Sequence, residues 1–463
     1  MNILLTVHQF FPHFSSGTEV LTLSTARELR RRGHLVEILA GYPAREMLDD
    51  SSRFDHYVYD GFSVHRFHHA YVPMGGQQDI MEAEYDNTFV AGWFRDLVAR
   101  LKPDFVHFFH LSRLSASLVD VCVAQKIPTV LTATDFWFIC PTSQLRLPDD
   151  GLCQGPSLWS INCIRHISKL HQPASVSAAL ERTPAPLLAA GLSILRLSGS
   201  KKWPAGNHAL ALTRRASHLA SRINKINRVL APTRLMAQLL TANGAEAGRV
   251  SVCPYGIALE HSRSSQRPAR TEGQPLRIGF IGTLYDHKGA HVLLEAVASI
   301  PKARVTVDIY GRLEDFPEYT NRLKGIAADD ERIRFKGTFL NSEIASIFEQ
   351  LDVLVVPSVW YENTPLVIHS AQAFCCPVIA SDLGGMSESV RDAKDGLLFE
   401  PGNSAELGRL INRLADDPSI VATLSTGCRP PRTAEDYVDE LERIYADVAR
   451  SRPQTEAEPV QTN

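Results

Sequence analysis

Short apolar runs alternate with amphipathic stretches along most of the chain. Asn2 to Val7 (NILLTV) is one such run; Thr18 to Arg32 then carries Val20, Leu23, Ala26 and Leu29 at helical spacing, and Leu35 to Ala40 (LVEILA) is apolar again. The pattern predicts strand, helix, strand. Arg30, Arg31 and Arg32 fall where a helix dipole favours cations, and Gly33 suits the left-handed cap that ends the helix. Phe105 to Phe109 and Pro128 to Ala133 repeat the apolar run. Near-continuous apolar strands separated by helices predict a parallel sheet covered on both faces.

From Pro141 to about Asn227 strands disappear and helical, turn and loop sequence takes over, which predicts a mainly helical insertion at about 141–227. The strand pattern resumes with Arg228 to Pro232 and Arg249 to Pro254, and the Ser- and Arg-rich stretch His261 to Gln274 reads as a linker. A second alternating set follows: Leu276 to Ile281, a helix over Ala290 to Ile300, then Arg304 to Tyr310 and Ile333 to Phe335. Ser342 opens a helix with Ile344, Ile347, Phe348 and Leu351 on one face, and Val353 to Val356, Pro377 to Ala380 and Gly396 to Phe399 are further strands. The fold class predicted is α/β: two Rossmann-like, doubly wound parallel-sheet domains, residues 1–258 and 275–428, facing a cleft. Such sheets bind ligands beyond the carboxyl ends of their strands. Residues 432–450 read as a charged amphipathic helix expected to pack back on the first domain, and 451–463 as a disordered tail.

Composition narrows the chemistry. The 463 residues are 44% hydrophobic and 21% charged, with 48 Lys and Arg against 51 Asp and Glu, a formal charge of −3. That balance excludes fibrous and wholly disordered classes and makes nucleic acid an unexpected partner. Eight dispersed cysteines do not read as a secreted disulfide framework. Met1 to Phe14 lacks a basic n-region and a small-residue cleavage site, so it reads as a strand and the expected location is cytoplasmic. Ala185 to Leu197 is apolar but too short to span a bilayer. Followed by Lys201, Lys202 and Trp203, it reads either as a helix packed on the first domain or as an interfacial element touching the inner face of a membrane.

The densest constellation is PSVWYENTPLVIHSAQA, Pro357 to Ala373. A strand ends, a loop presents Glu362, and Pro365 begins a helix, leaving the amides of Asn363, Thr364, Leu366 and Val367 free for an anion such as phosphate. The plainer reading makes Glu362 an acid that favours the helix dipole. GFIGTLYDHKG, Gly279 to Gly289, is a glycine-bearing strand end with Lys288 just before a helix, suited to a diphosphate or simply a solvated turn. SGTE, Ser16 to Glu19, gives the first domain its own glycine loop.

Taken with ELRRRGH, FKGTF and PVIASDLGGMSESVRDAKDGLLFEPGN, these motifs resemble glycosyltransferase family 4 (glycosyl transferases group 1): retaining, nucleotide-sugar-dependent enzymes of GT-B architecture. The resemblance covers most of the chain. It implies a nucleotide-diphosphate sugar as donor, a glycan or lipid-linked acceptor, and a setting in surface polysaccharide assembly. It makes Glu362 and Lys288 the catalytic pair. Lys288 and the amides after Glu362 would bind the donor diphosphate, with Gly17, Gly282 and Thr283 close by, and Glu362 would bind donor-sugar hydroxyls. Thr338 and Phe339 would lie at the base, and Gly384, Gly385 and Glu388 in the loop that closes the pocket. No cofactor is required, and no Asp-x-Asp triplet is present to hold a cation. Amides and Lys288 would stabilise the departing diphosphate.

Three departures stand out. The family's second glutamate is Ser370 here, a weaker partner for a ribose hydroxyl; its frequent phosphate-loop arginine is Thr283; and a common histidine is Thr134, followed by Asp135. Thr134, Asp135, His107 and His110 are acceptor-side candidates, the histidines alternatively being satisfied within the fold. The same fold also accommodates a nucleotide-sugar epimerase, or a degenerate relative that binds nucleotide sugar and acts through a partner chain. Finally, Cys140, Cys153, Cys163 and His166 could supply four zinc ligands. The first two thiols are isolated rather than paired, which favours buried or free cysteines and no metal.

Overall fold

A computed structural model describes residues 1–44, 47–77, 79–147, 149, 151–198, 204–258, 270–271, 273–301 and 304–450. The expected tail at 451–463, Lys201, Lys202 and Trp203, and most of the expected linker lie outside the described residues.

The first sheet has eight strands: β1 (Asn2–Val7), β2 (Leu35–Pro43), β3 (Phe54–Tyr59), β4 (Phe62–His69), β5 (Phe105–Phe108), β6 (Thr129–Thr132), β7 (Arg228–Ala231) and β8 (Val250–Val252). They lie in the order β3-β4-β2-β1-β5-β6-β7-β8. The second has six: β9 (Leu276–Ile281), β10 (Val305–Tyr310), β11 (Ile333–Gly337), β12 (Val353–Val356), β13 (Val378–Ser381) and β14 (Gly396–Phe399), ordered β11-β10-β9-β12-β13-β14. Every pair in the second sheet is parallel. Its order is that of a doubly wound nucleotide-binding sheet, with the switch point between β9 and β12.

The first sheet is parallel apart from one edge strand. β3 runs antiparallel to β4, from Phe54 opposite Phe67 to Tyr59 opposite Phe62. Asp60 and Gly61 join them with φ of 52° and 74°, the left-handed pair that a tight hairpin turn requires. The hairpin extends the sheet beyond β2, where no crossover helix is needed to return the chain.

Both sheets are covered on two faces. Phe94, Leu97, Phe108, Leu118 and Leu131 form the core on one side of the first sheet, and Ile3, Leu5, Ile38 and Val130 on the other. The second face is completed by the helix Ala434–Arg450, which buries Tyr437, Val438, Leu441, Tyr445 and Val448 against the first sheet. Arg32, just after the helix Gly17–Arg31, bonds Glu442 at 2.7 Å, and Ile257 bridges to Thr433. Between β6 and β7 come the helices Ile161–His171, Ala174–Arg182, Ala185–Ser198 and Pro204–Ile223. The last of these packs Ala211, Leu219 and Ile223 into the first domain's core.

Candidate active site

The two predicted donor segments converge at the switch point of the second sheet. Gly282 follows β9, and Pro357 follows β12. Gly289 has φ +71°, and a Cβ there would stand 1.9 Å from the Pro357 carbonyl oxygen. Only glycine lets the Asp286–Lys288 turn press against the end of β12. This closeness brings Lys288 Nζ to 2.6 Å from Glu362 Oε1. The same carboxylate oxygen accepts from Ser358 Oγ at 2.8 Å and Trp360 Nε1 at 3.0 Å. Glu362 is only 7% exposed. Burial alone would raise its pKa, but Lys288, then the hydrogen bonds from Lys288, Trp360 and Ser358, outweigh it and hold the carboxyl below the ordinary value.

Asn363 and Thr364 lead into the helix Leu366–Ala373, whose first-turn amides, at Leu366 and Val367, have no partner within the helix. Thr364 Oγ1 is buried without a partner among the described residues. A Cβ on Gly385 would meet the Asn363 carbonyl oxygen at 1.6 Å, so the Gly384-Gly385 loop lies flat on this segment. Gly385 N donates to the Glu362 carbonyl at 2.8 Å. Thr338 and Phe339 follow β11, with Phe339 edge-on to Tyr310 at 5.5 Å between ring centres. Lys288, Glu362, Asn363, Thr364, Leu366 and Val367, with Gly282, Thr283, Gly384 and Gly385, thus gather at one sheet end. The cluster offers a cation, an ionised carboxylate and free amides to an anion bearing hydroxyls.

Two expectations need correcting here, and a neighbour of Lys288 bears on its charge. Ser370 is buried, and its hydroxyl donates its proton to the Leu366 carbonyl one turn earlier at 3.1 Å, which leaves it no proton to give a ribose hydroxyl. The Glu388 carboxylate is engaged by the other domain rather than by the donor segments. Its carboxylate accepts from the amides of Arg234 and Leu235 at 2.8 and 2.9 Å, satisfying the first turn of the helix Arg234–Ala242 in the other domain. His287 supplies no charge beside Lys288, because burial, then the Lys288 cation, pushes its pKa down to about 3.

On the first domain, Gly17 opens its helix opposite the donor segments, and a Cβ on it would lie 3.7 Å from Leu366 Cδ1. Asn363 Nδ2 crosses the cleft to the Ala133 carbonyl and Tyr255 hydroxyl, both at 3.0 Å. His110 Nε2 lies 2.6 Å from Asp135 Oδ2, and both line a small pocket with Thr134 and Trp137. Thr134 Oγ1 is bonded to the Phe109 carbonyl. His107 is a correction: it is wholly buried, bonded to Tyr445 at 2.6 Å and Thr132 at 2.8 Å, so it braces the C-terminal helix and faces no acceptor.

Two residues that sequence reasoning passed over stand beside His110. His8 follows β1, its ring 4.3 Å from that of His110 and its Nε2 3.5 Å from Glu19 Oε1. Glu19 is fully buried and neither carboxylate oxygen has a hydrogen bond of good geometry among the described residues; burial raises its pKa, only partly offset by the polar groups around it, its own and Ser16's backbone, Gln9 and His110. An acid in the first turn of a helix that starts at a strand end was the available signal. Cys140, Cys153, Cys163 and His166 do line one small pocket. Among the described residues, however, no three His, Cys, Asp or Glu side chains form a group able to hold a metal ion.

Two open α/β sheets whose switch points face each other, with this cluster between them, define a GT-B protein. Residues 15–261 match the Glycosyltransferase Family 4 model and residues 275–417 that of the Glycosyl transferases group 1; the chain belongs to glycosyltransferase family 4. It is 29% identical over 225 residues to a D-inositol 3-phosphate glycosyltransferase of Streptomyces bingchenggensis, covering 44% of this chain and 49% of the relative. It is 30% identical over 222 residues to a 2-deoxystreptamine glucosyltransferase of Streptomyces kanamyceticus, covering 44% and 56%. The chain thus spans about half the length of the curated relatives it matches. Among solved structures, Anabaena HepE in complex with UDP and glucose superposes with TM-score 0.62 at 16% identity, covering 96% of this chain and 99% of that one. Sucrose-phosphate synthase from Thermosynechococcus elongatus gives 0.65 at 16%, covering 97% and 100%. At such identity these likenesses establish the fold alone.

Proposed function

We propose that this protein is a glycosyltransferase that moves a sugar from a nucleotide-diphosphate donor to an acceptor held by the first domain, with retention at the anomeric carbon. The Lys288–Glu362 pair at the foot of a helix N-terminus carries the reading. Lys288 and the Leu366 and Val367 amides receive the diphosphate and stabilise the charge that develops as it leaves. Glu362, kept ionised, accepts from donor-sugar hydroxyls. Thr338 and Phe339 border the base, and Gly17 closes on the phosphates from the other domain. No metal step is invoked. HepE is described with UDP, so UDP-sugars are the first donors to test. Transfer that survives a chelator and gives the donor's anomeric configuration in the product supports the reading; donor binding without turnover favours the degenerate alternative.

The acceptor is a glycan or lipid-linked species of polysaccharide assembly on one reading, and a small polyol on the reading that relatives named for inositol 3-phosphate and 2-deoxystreptamine favour. A peripheral membrane contact has one observation in favour. Leu187, Ile194 and Leu197 on the helix Ala185–Ser198 are 63, 67 and 88% exposed. Residues 151–227 hold ten Lys and Arg against one acid, Glu181. No described helix is long and apolar enough to cross a membrane. Sedimentation with anionic vesicles tests the contact, which predicts binding that is lost on Ile194→Glu.

A further inference from the structure

The first domain holds a guanidinium for which the described residues supply no matching anion. Arg113 lies in the turn after β5, where Ser115 N bonds the Leu111 carbonyl, and has φ +65°, a left-handed conformation uncommon outside glycine. Its Cβ is against β2: a Cβ built on Gly41 would meet it at 2.9 Å. Nη1 donates to the His8 carbonyl at 3.0 Å and to Gln9 Oε1 at 2.9 Å. Both oxygens are neutral, and among the described residues no carboxylate forms an ion pair with Arg113. Arg113 is only half-buried, yet a cation drawn partly out of water is ordinarily paired.

Its surroundings point the same way. His69 ends β4, is 3% exposed, and has no partner for either ring nitrogen among the described residues. His8 Nδ1 is likewise buried and unbonded among them. The strand order β4-β2-β1-β5 therefore sets His69, Gly41, His8 and Arg113 in a row across the carboxyl ends of the first sheet, where an open α/β sheet takes its ligand. The nearby acids are engaged elsewhere or unpaired with Arg113: Asp135 is bonded to His110, Glu84 to Trp137 and Arg215, and Glu19, whose pKa burial raises, lies 3.5 Å from His8 Nε2. Burial lowers the pKa of Arg113, and the neighbouring Tyr71, Glu19 and Glu84 offset this only in part.

We infer that the first domain receives an acceptor bearing a phosphate group, held by Arg113 together with His69 and His8 at the ends of β4, β1 and β5. The inference rests on the reading of this domain as the acceptor side, and names the chemical class it takes. Arg113 supplies the charge and a planar set of donors. The two histidines supply N–H donors that have no other occupant among the described residues. Because Gly17, on the same domain, opens its helix opposite Leu366 of the donor segments, an acceptor anchored by its phosphate would present its hydroxyls toward the donor sugar.

The test is a thermal-shift titration of the full chain with inorganic phosphate, run with and without saturating UDP, on the wild type and on Arg113→Gln and His69→Gln. The expected result is a phosphate shift that persists with UDP present, is abolished in Arg113→Gln and is weakened several-fold in His69→Gln, while the UDP shift survives in both variants. A phosphate shift that vanishes when UDP is present would overturn the inference, by assigning Arg113 to the donor's diphosphate. So would a shift that Arg113→Gln leaves unchanged, or no shift at all. If Arg113→Gln also loses the UDP shift through misfolding, His69→Gln decides. A phosphate response without any UDP response would instead count against the donor reading and leave this one standing.

Discussion

Lys288 Nζ and Glu362 Oε1 lie 2.6 Å apart although 74 positions separate them in the chain. Their meeting joins the two segments that were expected at the donor from sequence. A buried carboxylate that has lost its cation is left with its desolvation uncompensated. Lys288→Ala should therefore destabilise the chain by about 1–3 kcal/mol, and Lys288→Ala with Glu362→Gln by less than the sum of the single changes. Urea denaturation of the three variants checks this; strict additivity would mean the two side chains do not interact.

The pH dependence of stability has a definite sign. His107 is held down to about 3 by burial, against an ordinary 6.5, and burial followed by the Arg113 and Arg53 charges holds His69 at about 4. Between those values and pH 6.5 the unfolded chain binds protons that the folded chain refuses, so stability falls as the pH falls through that window. Each such histidine contributes up to about 1.4 kcal/mol per pH unit. Melting temperature should decline from about pH 6.5 to about pH 4.5, before most carboxylates titrate, and decline less steeply in His107→Gln. A flat profile over that range would contradict the buried neutral state.

The C-terminal helix is held by apolar burial as well as by ion pairs. Leu441 and Tyr445 are fully buried on the first domain. Leu441→Ala should cost about 2–5 kcal/mol. Glu435→Gln, on the exposed rim of the Arg31 contact, should cost under about 1 kcal/mol. Chemical denaturation of the two variants separates the contributions, and equal losses would refute the ordering.

Glu388 bonds the amides of Arg234 and Leu235 and so ties the second domain to the first. Glu388→Ala removes a capping carboxylate, worth about 1 kcal/mol, from an interdomain contact. Hydrogen exchange at residues 234–237 should quicken, and the radius of gyration without ligand should rise. Unchanged exchange would mean the contact does not persist in solution.

What was legible in the sequence follows from how local each feature is. Strand ends, the glycine turn before Lys288 and the helix beginning at Leu366 are written in consecutive residues, so the segments that meet around Lys288 and Glu362 are readable, whatever they bind. The β3–β4 hairpin carries a local signal too, since Asp60-Gly61 between apolar alternations is a strong turn pair, but the expectation of a parallel sheet passed over it. His107 was misplaced because alternation along β5 cannot say which face a helix 338 residues later will cover. Glu388 and Ser370 were misplaced for a similar reason: their partners are a distant helix end and their own helix backbone. His8, Glu19 and Arg113 escaped because only the strand order brings them to one place.

If the Lys288–Glu362 cluster binds the diphosphate of a nucleotide sugar, loss of the lysine weakens nucleotide binding. Calorimetric titration of UDP, GDP, ADP and dTDP into the wild type and Lys288→Ala should show one site for one nucleotide class, weakened at least about tenfold, or about 1.4 kcal/mol, in Lys288→Ala. Equal affinity in the variant, or no binding of any of the four, would contradict it.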